Sequence, residues 1–401
     1  MSTVPSFEEL IAPVALAEFY RNYWEREVLF LPAQDPSKFP GLLTMADLDA
    51  YLCRSDLRYP ALRLVKSGEQ IPVESYTTAF SLGGVKATDL IRSDRVFAHY
   101  REGATILIQL AHWSLPSLQP LAAQLEKFFS FNVEMNVYLT PPGSQGFTAH
   151  FDTHSVVVLQ LAGTKTWELH GDRPVQPLLE DRFDGNTEQA GEVTKTVELT
   201  PGSLLYVPRG RFHSARANAE PSLHVTIGLF PPTWLDLFHQ RLAQMKENPR
   251  FRRAPTHDDV GELRELLDAF AHDFQLPAVR SALSWSKLAN EGQPALGRLF
   301  DTLALPDLSM QTWLRVRHEA NIGFGLRGGR LSLRGIGAEL SLPLQAETFV
   351  RQVMKTPGDF QLDSVAGELD AASVLVVAKA MLREGVLAVS GPGSGSSCVR
   401  Q

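Results

Sequence analysis

Cysteine is nearly missing from this 401-residue chain, which has only Cys53 and Cys398. That excludes a disulfide framework and any thiolate zinc cluster, and it fits a reducing compartment. An excess of positive charge is missing too. Lys and Arg number 38 against 45 Asp and Glu, a net charge of −7, the wrong sign for a general binder of nucleic-acid phosphates. No run approaches the ~20 apolar residues of a membrane-spanning helix. The first 31 residues interrupt their apolar content with Glu8, Glu9, Glu18, Arg21, Glu25 and Arg26 and offer no small-residue cleavage site, so no secretory signal is read there. A cytoplasmic protein is the expectation. The signature of disorder is also lacking, since 44% of residues are hydrophobic and 21% charged. Length predicts two or three domains. Histidine is what remains for metal chemistry. Eleven are present, and with so little cysteine a transition-metal site has to be built from His and carboxylates.

The texture changes along the chain. Residues 7–30 read as helical from the spacing of Leu10, Val14, Ala17, Phe19, Tyr20 and Tyr23, followed by a short strand at 28–31. Residues 44–53 predict a helix with Thr44 as N-cap and Asp47 three residues on. Helix is also expected at 87–101 and 115–130. From Asn132 to Phe230 short β-rich runs take over, at 133–139, 155–161, 164–169, 193–199, 203–207 and 223–229. Turn residues such as Pro141-Pro142-Gly143, Ala162-Gly163 and Pro201-Gly202 separate them. Many short strands at this spacing predict a sandwich or barrel. After Pro231-Pro232 amphipathic helices return at 234–246 and 260–274, with more helix to about residue 320. Two short strands are expected within 323–337, helices at 345–354 and 371–384, and a terminal strand at 385–389. That order suits a small winged-helix-like module. Gly391 to Ser397 reads as a flexible tail.

The chemistry concentrates in Thr148-Ala149-His150-Phe151-Asp152-Thr153-His154. Alternate residues of a strand share a face, so His150 and Asp152 would point together. One further imidazole would complete a two-histidine, one-carboxylate face, which suits Fe(II) and leaves positions open. His-x-Asp alone is a common chance pattern. Two residues compete for the third place: His213, after the turn Pro208-Arg209-Gly210, and His224 within Ser222-Leu223-His224-Val225-Thr226.

Several motifs in one order carry a resemblance. They are Asn136-Val137-Tyr138-Leu139-Thr140-Pro141-Pro142-Gly143, His150-Phe151-Asp152, Val156 to Trp167, Pro208 to Ala215, and Leu223-His224-Val225-Thr226. Upstream, Phe19-Tyr20-Arg21-Asn22-Tyr23-Trp24-Glu25 and Val28 to Leu31 extend it. Over residues 15–230 the chain resembles the JmjC-type ribosomal oxygenases, protein hydroxylases of the cupin superfamily that depend on Fe(II) and 2-oxoglutarate.

The resemblance implies an α+β fold: a double-stranded β-helix barrel over 1–231 with N-terminal helices, a helical dimerisation region over 232–320, a winged-helix-like domain over 321–391 and a tail over 392–401. It implies Fe(II) on His150, Asp152 and His213, with His224 as a cavity residue and 2-oxoglutarate and O2 as co-substrates. Lys165, fifteen residues after His150, would bind the far carboxylate of 2-oxoglutarate. Physics agrees, because a dianion entering a closed barrel needs a cation. Asn136 and Tyr138 match positions that hydrogen-bond the co-substrate, and Thr226 is a weaker candidate. The reaction implied is hydroxylation of an Arg or His side chain in a ribosomal protein or another protein or peptide. A homodimer is implied as well. DNA binding by the last domain is not expected, since Arg351, Lys355, Lys379 and Arg383 are outnumbered by Glu347, Asp359, Asp363, Glu368, Asp370 and Glu384. Two rival readings stand: an oxygenase acting on methyl-lysine, a ribosomally made peptide or a small molecule, and a non-catalytic cupin scaffold.

Overall fold

The computed structural model describes residues 4–39, 41–171, 176–246, 248–255, 260–272, 274, 297–317, 323–327, 329–334 and 339–391. The chain divides into two compact units, Met1–Phe230 and Pro231–Gln401.

In the first unit, helices α1 (Phe7–Ile11) and α2 (Leu16–Glu18) lead into a π-helical turn at Phe19–Tyr23. The long helix expected over 7–30 is therefore broken, and Pro13 in its middle gives the reason: it can neither donate a backbone bond nor fit a helix interior. Phe19 is wholly buried and meets the rings of Phe7 at 5.2 Å and Tyr206 at 5.0 Å. Helix α3 (Met45–Leu52) begins with the anticipated cap, Thr44 accepting from the Asp47 amide while Asp47 accepts from the Thr44 amide. Helix α4 (Ser93–Arg101) is shorter than expected, because residues 85–91 are strand. Helix α5 (Gln119–Phe129) completes the set.

Thirteen strands follow in chain order: β1 (Leu29–Leu31), β2 (Leu62–Lys66), β3 (Glu69–Gln70), β4 (Thr77–Leu82), β5 (Val85–Ile91), β6 (Thr105–Ile108), β7 (Val133–Thr140), β8 (Ser155–Ala162), β9 (Lys165–His170), β10 (Val193–Leu199), β11 (Leu204–Val207), β12 (His213–Ala217) and β13 (Ser222–Leu229). Eight form one antiparallel sheet in the order β1-β11-β8-β13-β7-β6-β2-β3, and β10-β9-β12 form a second. Val156, Val158, Leu205 and Val207 of the large sheet share a core with Trp167, Leu169, Val197 and Leu199 of the small one. The opposite face of the large sheet, with Met135, Val137, Leu159 and Ile227, packs with the residues of the N-terminal helices. The large sheet is thus covered on both sides. All eight residues of β13 are buried, and so are the first six of the mostly apolar β8, as expected of strands covered on both faces.

In the second unit, α6 (Trp234–Met245) opens with a Thr233–Asp236 capping box. Phe238 of α6 meets Phe270 of α7 (Val260–His272) at 6.1 Å. Helix α8 (Arg298–Ala304) precedes β14 (Trp313–Val316), which lies between β18 (Asp359–Gln361) and β19 (Leu387–Val389). Strands β15 (Gly323–Arg327), β16 (Arg330–Arg334) and β17 (Glu339–Leu342) form a meander, and α9 (Glu347–Lys355) and α10 (Ala371–Arg383) complete a core around Leu314, Leu333, Phe349, Val353 and Met381. Strands β14, β17 and β18 have no counterpart in the sequence reading. Among the described residues no helix is long and apolar enough to cross a membrane. The tail and most of the helix expected before residue 297 lie outside the described residues.

Candidate functional site

His150, in the segment between β7 and β8, forms an isolated antiparallel bridge with His213 at the start of β12, closed by amide-to-carbonyl bonds of 3.1 and 2.8 Å. The bridge brings two imidazoles from distant parts of the chain side by side, ring centroids 4.6 Å apart. Asp152 stands between them, its Oδ2 3.6 Å from His213 Nε2 and its Oδ1 4.0 Å from His150 Nε2. One potential ligand atom from each of the three residues lies within 4.8 Å of the others.

The opposite ring nitrogens decide which lone pairs are available. His150 Nδ1 lies 2.8 Å from the Thr148 carbonyl and His213 Nδ1 2.9 Å from the Arg211 carbonyl. A carbonyl only accepts, so both Nδ1 atoms carry hydrogen and both Nε2 atoms present lone pairs toward Asp152. Burial, with His150 facing it, pulls His213 down to about 4, which keeps it neutral. Burial opposes ionisation of Asp152, but the attraction of His154, His150 and His213 outweighs it, and the carboxyl is held below its usual range. Two imidazoles anchored through Nδ1 and one carboxylate form a donor set suited to a divalent transition metal.

Lys165 begins β9, on the face that carries Trp167 and Leu169. It is 4% exposed, and its Nζ donates to Thr140 Oγ1 at 3.0 Å, which also accepts from Thr105 Oγ1 at 3.2 Å. No carboxylate pairs with it among the described residues, and burial alone lowers it to about 7. The turn before it is fixed by Gly163 (φ +61°), where a Cβ would lie 2.0 Å from the Pro221 carbonyl oxygen, so only glycine fits. Lys165 is thus a buried amine held by a hydroxyl, with no carboxylate beside it among the described residues.

Between the triad and Lys165 lie Tyr138 and His224, paired across β7 and β13 and stacked at 4.8 Å with planes 3° apart. Tyr138 bonds Thr226, and burial, then the charge of Asp152, raises its phenol well above the ordinary value. Burial, then Lys165, keeps His224 neutral. Trp167 stacks on His213 at 5.7 Å. Asn136 is on the face of Tyr138, and its Oδ1 accepts from the Leu110 amide at 3.0 Å. His154 stacks on Phe230 at 4.4 Å and covers Gly228, where a Cβ would stand 2.9 Å from its ring. Phe147 and Phe183 flank His150 at 5.4 and 6.4 Å.

His150, Asp152 and His213 thus come together as one cluster, and Trp167 links it to His224, which stacks on Tyr138. The His224 ring is not in the cluster of the triad. The sequence reading missed Thr140, Trp167 and Phe183. Thr140 was within reach, since it continues the alternation Asn136, Tyr138 by one step. Phe183 comes from a loop with no pattern to read.

Comparison with known proteins begins at the barrel, where residues 112–237 match the JmjC domain. The chain carries a JmjC domain. It is 32% identical over 327 residues to a protein of Aedes aegypti named bifunctional lysine-specific demethylase and histidyl-hydroxylase NO66, covering 78% of this chain and 48% of that one. It is 32% identical over 265 residues to human ribosomal oxygenase 1, covering 63% and 39%. The chain spans less than half the length of either relative. In fold it matches the Escherichia coli ribosomal oxygenase YcfD with a TM-score of 0.56 at 14% identity, over 94% of this chain and 98% of that one. The expected likeness of the JmjC domain and its surroundings to ribosomal oxygenases is therefore real, and so is the α+β cupin-type fold.

Proposed function

We propose that this protein is an Fe(II)- and 2-oxoglutarate-dependent oxygenase that hydroxylates an Arg or His side chain in a ribosomal protein or another protein or peptide. The observation that carries the reading is the His150–Asp152–His213 cluster in the same domain as the buried Lys165, which has no carboxylate partner among the described residues. YcfD, which shares the fold, was solved in complex with cobalt and 2-oxoglutarate, and the relatives' names include histidyl-hydroxylase and ribosomal oxygenase. Demethylation of methyl-lysine is the second reading, since the mosquito relative's name includes that activity too.

His150, Asp152 and His213 would hold Fe(II), the Thr148 and Arg211 carbonyls orienting the two imidazoles. Lys165 would take the far carboxylate of 2-oxoglutarate, with Thr140 steering its ammonium. Tyr138, Thr226 and Asn136 would border the rest of the co-substrate. When bound, Fe(II), 2-oxoglutarate and O2 supply the oxidation that places hydroxyl on an unactivated C–H bond, with succinate and CO2 as co-products. Trp167, His224 and the surrounding apolar residues exclude water. Phe147 and Phe183, at the side of His150, stand where a substrate side chain would approach.

A homodimer through α6 and α7 is part of the proposal. Trp234, Leu235, Phe238, Leu242, Leu263 and Leu267 are between 44% and 63% exposed, an apolar display that monomers rarely leave uncovered. The division proposed for the chain is a catalytic domain to residue 231, a helical region that ends before β14 rather than at 320, since Leu314 sits in the core of the last domain, and a winged-helix-like domain to 391 that does not bind DNA. Cysteine scarcity supports a cytoplasmic setting, and the net charge of −7 supports steering of a basic substrate. The test is succinate formation from 2-oxoglutarate with Fe(II), alone and with candidate ribosomal proteins, followed by mass spectrometry for a gain of one oxygen. Iron-dependent turnover and an oxidised Arg or His support the reading. A demethylated lysine favours the second. Iron-dependent succinate formation that is equal in wild type and His150→Ala overturns the site.

A further inference from the structure

The segment Phe19 to Glu25 takes no part in the chemistry above, yet its last residue reaches into the barrel wall. Glu25 has a left-handed backbone (φ 56°), uncommon for a side chain other than glycine. Its amide donates to Tyr206 Oη at 3.0 Å. Its Oε2 accepts from Arg209 Nε at 2.8 Å and from Arg209 Nη2 at 2.6 Å. Its Oε1 accepts from Ser155 Oγ at 3.4 Å, and the Arg209 amide donates to the same hydroxyl at 3.2 Å. Arg209 Nη1 reaches the Pro177 carbonyl at 3.1 Å, at the start of the stretch that carries Phe183. The next residue, Gly210, donates its amide to the Asp152 carbonyl at 2.9 Å. The two charged side chains are 13% and 15% exposed.

Ser155 follows Asp152 by three residues and Arg209 precedes His213 by four. One ion pair therefore ties together the segments that bring two of the three cluster residues. We infer that Glu25 and Arg209 are positioning residues: their pair sets the spacing between Asp152 and His213 and so the affinity of the cluster for its metal. The inference rests on the metal reading of the triad. A purely structural pair is the competing account, and energetics separate the two. Replacing both members of a buried pair by apolar residues commonly leaves folding intact, whereas removing one strands a charge. Only a positioning role then predicts a loss of metal affinity in a protein that still folds. The two-pronged grip of arginine on one oxygen is also something lysine cannot reproduce.

The experiment measures Co(II) binding by calorimetry, the visible Co(II) spectrum, and metal-free thermal unfolding, on the full chain. Variants are Glu25→Leu with Arg209→Met together, Arg209→Lys, and His150→Ala as control. The expected result is a double variant that melts near wild type, binds Co(II) at least tenfold more weakly and shows an altered spectrum. Arg209→Lys should lose affinity by a smaller factor. Wild-type affinity and spectrum in the folded double variant overturn the inference. If the double variant does not fold, unchanged Co(II) affinity in Arg209→Lys overturns it instead. Co(II) binding that survives in His150→Ala, or is absent from wild type, overturns the metal reading and this inference with it.

Discussion

In the proposed reading the triad and Lys165 are two poles of one site, and they solve opposite problems. The side chains of His150 and Asp152 are 22% and 30% exposed, although that of His213 is only 8%, whereas Lys165 is 4% exposed. A metal pole has to exchange ligands, and two of its three residues stay open to solvent. Its two imidazoles are held in place by backbone carbonyls, which do not titrate. An anion pole has to make one charge count, so it is dry, and a charge there is worth more than in water. The cost shows in Lys165, lowered to about 7, a group whose protonation the empty protein barely supports. On that reading, openness would give the first pole its chemistry, and dryness would give the second pole selectivity for a dianion.

The sharpest way to break this contrast is at the metal pole. Asp152→Ala removes the lone carboxylate of the triad and should abolish both Co(II) binding and succinate formation. Lys165→Met comes next and should separate the poles. It should retain metal binding, lose at least a hundredfold in 2-oxoglutarate affinity by calorimetry, and raise stability by about 1–4 kcal/mol in denaturant titration, since it removes a buried, unpaired charge site. A Lys165→Met protein that binds 2-oxoglutarate normally would remove the anion pole altogether.

The pH dependence is a third test. Lys165 has a depressed folded value, so the unfolded chain binds more protons between about pH 7 and the ordinary lysine value near 10.4. Stability should rise with pH through that window and the rise should vanish in Lys165→Met. The 2-oxoglutarate dissociation constant should move the other way, increasing about tenfold per pH unit above about 7, because only the charged ammonium holds the anion. The smallest effect is expected from Thr140→Val. Loss of one hydrogen bond worth about 1 kcal/mol should weaken 2-oxoglutarate by three- to tenfold and leave Co(II) affinity unchanged.

Legibility in the sequence followed the same division. Strands exposed to a period of two were readable: β7 alternates, and Asn136 and Tyr138 were placed on one face from it. The metal pole needed more than pattern. His150 and Asp152 are neighbours on the chain, but His213 meets them only through an isolated backbone bridge, and the choice of His213 over His224 came from the resemblance. Strands β2 and β6 were missed because both are short and lie among helices, and β5 was read as helix. Its Ala87 and Leu90 fit a 3.6 period, and only pairing with β4 decides against it. The loop contact of Phe183 and the Glu25–Arg209 pair depend on distant segments meeting, which no local pattern encodes.

Strand β13 has a consequence for how the barrel is made. It pairs with β7 on one side and β8 on the other, and without it the large sheet falls into two pieces, β1-β11-β8 and β7-β6-β2-β3. It is also the last strand of its unit to be synthesised. A nascent chain leaving the ribosome therefore carries two unjoined half-sheets with bare edges until residue 229 has emerged. Long-range closure of this kind is slow and leaves sticky edges waiting. Chains released before Leu229 should be handed to chaperones, and those released just after it should begin to resist protease.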